Sequence, residues 1–197
     1  MLSHSKSLSS NNKVITSVLF LLFTIHLFSY NVSANLLNDC KWDYNKTTKH
    51  TKCHLRTLDA THSAELLQEA QGSGKLDIVC DESILFESQL PKKLFRDVSS
   101  VSELTIESCK ILKLPESAFE GLNGLKKLSV NTKNSEWGAI KALEVHEHAL
   151  NGLKQLTTLE LTDSNIRVIP DGFYCPLNNL QVLNLTRNRI RSAENLG

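Results

Sequence analysis

From Val101 the chain reads VSELTIESCKILKLPESAFEGLNG, with apolar residues at Val101, Leu104, Ile106, Ile111, Leu114, Phe119 and Leu122. The opening of this unit returns at Leu125, Leu128 and Val130, again at Leu156, Leu159, Leu161 and Ile166, and again at Leu180, Leu183, Leu185 and Ile190. The starts at 101, 125, 156 and 180 lie 24, 31 and 24 residues apart, so the second unit is seven residues longer than its neighbours. Fixed-period self-similarity of this length constrains a chain more than any local propensity, because one unit cannot bury its apolar face alone. A lone amphipathic helix also spaces leucines by three and four. It does not reproduce Leu-Pro, an aromatic and Gly-Leu at constant offsets. Leucine accordingly fills 33 of the 197 positions.

The spacing matches L-x-x-L-x-L-x-x-N-x-L, the leucine-rich repeat pattern. It predicts an α/β solenoid, a horseshoe segment. The L-x-L stretch of each coil is a short strand with leucines inward, successive strands form a parallel concave sheet, and PxxxF segments such as Pro115 to Phe119 return along the convex side. The register puts Glu103, Glu107, Lys126, Lys127, Glu160, Asp163 and Arg187 on the outward face, and Trp137 in the insertion of the second coil. These are the candidate ligand-facing residues. The face is polar and carries no aromatic cluster of the kind that dominates protein interfaces. At the ninth position, where an Asn side chain serves the backbone of adjacent coils, stand Cys109, Lys133, Ser164 and Asn188. Lys133 cannot accept a hydrogen bond, so the second coil is expected to be the least regular.

An open solenoid exposes apolar ends and strand edges and needs a cap. Residues 35–98 are placed to form it at the amino-terminal end, ahead of repeats in 99–197, three complete and one cut short. Cys40 and Cys53 bracket a polar stretch, and a disulfide closing that loop stabilises the cap by roughly 3 kcal/mol. In LDIVC, Leu76, Ile78 and Cys80 alternate as a cap strand beginning the sheet. One coil later, Cys109 falls about 4.8 Å from Cys80, within disulfide reach. Cys175 is left over among five cysteines. The fourth unit, Leu180 to Gly197, stops after eighteen residues, which reads as a fragment or truncated gene model whose open end self-associates.

Residues 1–34 read as a secretory signal peptide. Lys6 and Lys13 stand in a stretch without acids, Val14 to Tyr30 run almost wholly apolar, and Val32 and Ala34 form a small-residue cleavage signal, placing the cut after Ala34. Export fits disulfide pairing. Sequons occur at Asn31, Asn45 and Asn184, and the last two are the candidate glycosylation sites.

The chain carries 22 Lys and Arg against 21 Asp and Glu. Losing the two lysines of the signal leaves 20 against 21, a balance that offers nothing for gripping nucleic acid or an anionic membrane. His146, Glu147 and His148 lack the helical H-E-x-x-H spacing of zinc hydrolases. No phosphate loop, nucleophile elbow or framed pair of acids is present, so no catalytic residue, cofactor, metal or small-molecule substrate is expected.

The run CKILKLPESAFEGLNGLKKLSV, the NSEW insertion, DIVC followed by LFES, and LTTLELTDSNIRVIPDGFYCPLNNLQVLNLTRNRI together resemble the amino-terminal ectodomain of insect Toll receptors, especially the 18-wheeler group. The resemblance covers residues 38–197. It implies a single-pass cell-surface receptor with a cytoplasmic TIR domain, acting in innate immunity and developmental signalling. It also implies a secreted cystine-knot ligand of the Spätzle type and pairing of receptors. In that case the chain is the ligand-binding, extracellular end of the receptor, secreted when it stands alone. The alternative is a secreted or matrix leucine-rich repeat protein working in adhesion or as a decoy.

Overall fold

The computed structural model describes residues 38–191 apart from 46, 60, 61, 84, 85, 137 and 139. The signal segment with its cleavage point, Trp137, and the last six residues lie outside the described residues. The β-branched and leucine-rich L-x-L stretches form strands because alternate side chains find an apolar interior on one side and water on the other. Seven strands make one sheet in the order β1 (Asp39–Asn45), β2 (Thr48–Leu55), β3 (Ser73–Cys80), β4 (Glu103–Glu107), β6 (Lys127–Asn131), β8 (Thr158–Thr162) and β9 (Val182–Asn184). From β2 onward all neighbours are parallel. Leu76, Leu104, Leu128, Leu159 and Leu183 stand in one register row, and Ile78, Ile106, Val130 and Leu161 in the next inward row. A second sheet, on the flank after the main strands, pairs β5 (Lys113–Leu114) with β7 (Glu144–Val145).

One backbone bond recurs with each coil. The amide of Ser102 donates to the Gly74 carbonyl, Lys126 to Ser102, Thr157 to Lys126 and Gln181 to Thr157, each at 2.8 Å. The distance does not change across the 31-residue coil, so the insertion leaves the strand side of the solenoid untouched. The return side is equally regular. Turns close from Val98 to Phe95, Leu122 to Phe119, Leu153 to Leu150 and Leu177 to Tyr174. These are turns and short 3₁₀ stretches, and the one α-helix among the described residues, α1 (His62–Leu67), belongs to the cap. Phe95, Phe119, Leu150 and Phe173 are fully buried at corresponding places, with the Phe95 and Phe119 rings stacked at 5.9 Å. Gly121, at φ +106°, sits where an added Cβ would lie 2.9 Å from Arg96 Cα and the Phe95 carbonyl, so close coil stacking requires glycine there.

The cap differs from expectation in one respect. The Cys40 to Cys53 segment is not a flap beside the sheet but its first two strands, an antiparallel hairpin whose β2 pairs in parallel with β3. Cys40 and Cys53 stand directly opposite each other and are bonded, as are Cys80 and Cys109 at the ends of β3 and β4. Cys175 is free and exposed.

Each strand ends in a left-handed residue: Ser108 (φ 60°), Asp163 (φ 49°) and Arg187 (φ 60°) at the eighth position. In the second coil this residue is Lys133 (φ 51°), one place later. The slip turns Asn134 inward, where its amide donates to the Ile111 carbonyl at 2.7 Å. Asn165 at the matching place donates to the Lys141 carbonyl at 2.6 Å, and Lys110 one coil earlier reaches the Glu82 carbonyl at 2.7 Å. The tenth position therefore carries coil-to-coil bonds that the repeat pattern assigns to the ninth. Asn188, the one ninth-position Asn, donates to Leu161 and Leu185 carbonyls and accepts from the amides of Ser164 and Ile166.

Lys133 itself reaches back past the first coil to the carboxylate of Glu82, which also accepts from the Ser108 hydroxyl at 3.0 Å. The Lys133 bond, then the Ser108 bond and the lysine charge, hold the Glu82 carboxyl below its ordinary value, and Glu82 raises Lys133 in turn. Folding lowers the acid's pKa, so its contribution to stability is fully present above the ordinary glutamate value of 4.5 and is lost as pH falls through the lower folded value. The raised lysine makes its contribution below its ordinary value of 10.5, losing it as pH climbs through the folded one. Denaturant titrations of wild type and Glu82→Gln should thus differ by a constant amount near neutrality and converge in acid. A difference that persists unchanged into acid contradicts the strut.

Candidate functional site

Inward leucines fix which residues face out, so the open face of the main sheet presents three registered rows. One row runs His50, Lys75, Glu103, Lys127, Thr158, Val182; the next runs Lys52, Asp77, Thr105, Ser129, Glu160, Asn184; the third runs His54, Val79, Glu107, Asn131, Thr162. Charges of opposite sign meet across the rows. His50 Nε2 lies 2.8 Å from Asp77 Oδ2 and its Nδ1 lies 3.6 Å from Asp43 on β1. Lys75 approaches Asp77 at 3.7 Å and Lys127 approaches Glu160 at 3.4 Å. A face of this kind satisfies much of its own charge and recognises a partner by pattern rather than by one apolar anchor.

Of the residues singled out from the repeat, Glu103, Glu107 and Lys126 are exposed, and Lys127 and Glu160 are half-buried and paired with each other. Asp163 is a correction. It is 2 % exposed, because the left-handed backbone ending β8 turns its side chain under the sheet edge, where it accepts from the Ser135 hydroxyl of the insertion. Arg187, itself exposed, reaches Asp163 at 3.6 Å. Ser108 and Thr132, at the same place in their coils, are likewise buried rather than outward. The cluster of Asp43, His50, Lys75 and Asp77 escaped the sequence reading. The signal was the alternation of Lys52 and His54 with buried Thr51, Cys53 and Leu55, which marks β2 as a strand of the same sheet.

Asn45 ends β1 and is exposed. Asn184 projects from β9 on the open face, half-buried, and its Oδ1 accepts from the Thr186 amide at 3.1 Å. His146 and His148 lie on the convex side with ring centroids 5.7 Å apart, and His146 Nδ1 accepts the His148 amide. Among the described residues no three His, Cys, Asp or Glu side chains are grouped to hold a metal ion, and no helix is long and apolar enough to cross a membrane.

Comparison with known proteins places this geometry. The leucine rich repeat family profile matches residues 141–192. Toll-like receptor 7 of Drosophila melanogaster is 51 % identical over 160 residues, 81 % of this chain and 11 % of the receptor. Decorin of Bos taurus is 29 % identical over 84 residues, 43 % of this chain and 21 % of decorin. Among solved structures, the Toll–Spätzle complex of Drosophila aligns with 64 % of this chain and 18 % of its own matched chain, at 21 % identity and a TM-score of 0.40. The chain thus spans about a tenth of the length of the receptor and about a fifth of decorin. Coil register, cap disulfides and an identity of one residue in two make this chain a leucine-rich repeat protein homologous to the Toll receptors.

Proposed function

We propose that the chain is the amino-terminal, ligand-binding part of a Toll-type cell-surface receptor in innate immune or developmental signalling. The observation that carries this reading is the 51 % identity to Toll-like receptor 7 across 81 % of the chain, a span that takes in the cap as well as the repeats. On this reading residues 1–34 direct export, residues 35–98 cap the solenoid and residues 99–197 are its first coils. The structure stands on the extracellular side of the plasma membrane in the receptor and is secreted when it is released alone. No step of bond making or breaking is assigned to it.

The partner in this proposal is a secreted protein, a cystine-knot dimer of the Spätzle type, as the resemblance implies. It meets the open face through Glu103, Glu107, Lys126, Lys127, Glu160 and Arg187, with Trp137 at the side. Mixed rows of charge suit such a partner, steering approach and fixing orientation even where net affinity comes from elsewhere. Glycans at Asn45 and Asn184 would border this surface, and the one at Asn184 would stand on it. The alternative, a secreted or matrix adhesion or decoy protein, has less behind it, since the likeness to decorin extends over 43 % of the chain at 29 % identity.

Immobilised chain, exported from insect cells, should bind a Spätzle-type cystine-knot protein with an affinity that falls as salt rises. Reversing Glu103 or Glu160 to Lys should weaken binding about tenfold, a loss of roughly 1.4 kcal/mol. Affinity that is unaffected by these reversals would move the ligand off the open face.

A further inference from the structure

The flank of the solenoid, where each coil leaves its main strand and turns toward the convex side, keeps its charges to itself in a way the open face does not. One charged residue stands there per coil: Glu87 in the cap, Lys113 on β5, Glu144 on β7 and Arg167 in the third coil. Their signs alternate. Among the described residues Glu87, Lys113 and Glu144 are exposed and enter no ion pair, although Lys113 and Glu144 are register partners on adjacent strands. Beside them lies an open groove of about 610 Å³, and the apolar side chains at its rim include Ile140, 84 % exposed, and Val168, 59 % exposed. Phe86, next to Glu87, is 73 % exposed. Apolar side chains gathered at one rimmed face mark an interaction surface rather than scattered exposure.

The groove follows from the insertion. Along the flank the cap bridges to the first coil through Ser88 and Ile111, the first to the second through β5 and β7, and the third to Arg189 and Arg191. Among the described residues no backbone bond joins Val145 of the second coil to Val168 or Ile169 of the third, and the groove occupies that interval.

We propose that this flank is an interface with a second copy of the chain, related by a two-fold axis passing between Lys113 and Glu144. The charge order along the flank is minus, plus, minus, plus. A two-fold rotation reverses it, so Glu87 meets Arg167 of the second copy, Lys113 meets its Glu144, and the two remaining contacts repeat these. All four pairs are attractive, and the same patch on both copies is what an isologous interface demands. The axis also brings the two grooves together and covers the Ile140 and Val168 side chains. Four coils at strand spacing put the outer charges only about 15 Å apart. The contact is therefore a small one, and a weak, salt-sensitive dimer is expected. This inference does not depend on the ligand assignment, since it concerns the chain alone.

Sedimentation velocity of the full exported chain across the micromolar range, at low and high salt, reads the association. Lys113→Glu and Glu144→Lys should each weaken self-association about tenfold or more, because each reversal sets two like-charged pairs on the axis. An equimolar mixture of the two variants should associate again, since the reversed lysine site of one then faces the reversed glutamate site of the other. Circular dichroism of each variant establishes that it is folded, and recovery in the mixture separates a lost contact from a damaged protein. Self-association undiminished in both variants would place the contact elsewhere, for instance at the apolar fourth coil or at Cys175, and overturn the proposal. A wild-type chain that stays monomeric throughout, or a mixture that fails to associate, would overturn it equally.

Discussion

Every part of the molecule depends on one backbone hydrogen bond repeated from coil to coil, the second residue of each unit donating at 2.8 Å to the second residue of the unit before. A solenoid coil has no core of its own. Its leucines are buried only because the neighbouring coil lies one strand spacing away, and that bond sets the spacing. The bond then decides which side chains share a row on the open face. The ion pairs between His50 and Asp77 and between Lys127 and Glu160 follow from this register rather than cause it.

The seven extra residues of the second coil show how such a lattice tolerates an insertion. The strand side is unchanged and the flank absorbs the whole difference. The left-handed residue moves from the eighth place to Lys133, Asn134 turns in, Ser135 covers Asp163, and a groove opens toward the third coil. Lys133, which cannot serve the backbone as an asparagine does, instead ties the second coil to Glu82 in the cap. The irregular coil is thus the one fastened to the cap, where the sheet begins.

The strands, their register and the inward row of leucines were legible because alternation and a 24-residue period leave only one face to bury. The flap between Cys40 and Cys53 was legible as a loop closed by cysteines but not as two strands of the sheet. Its outer residues, Trp42, Tyr44, Lys52 and His54, do not alternate in polarity as a half-buried strand usually does. Asp163 was misplaced for a different reason. Counting alternate residues assumes extended backbone to the end of the strand, whereas a left-handed residue reverses the direction of the side chain that follows the last ladder pair. The shift from the ninth to the tenth position was invisible for the same cause, since nothing in the letters Lys133-Asn134 says which of the two takes the bend. The open face itself was read correctly as polar, yet the pairing of its charges needed the cap strands beside it.

The central claim is that side chains at the tenth position lock each coil to the one before. Chemical denaturation of Asn134→Ala tests it most directly, because Asn134 is fully buried and its amide supplies the Ile111 carbonyl with its donor. Removing it leaves that carbonyl without the bond, and the expected loss is about 1–3 kcal/mol in one cooperative transition. A variant as stable as wild type, within about 0.3 kcal/mol, would mean that the coils are held by their leucines and backbone alone and would contradict the account.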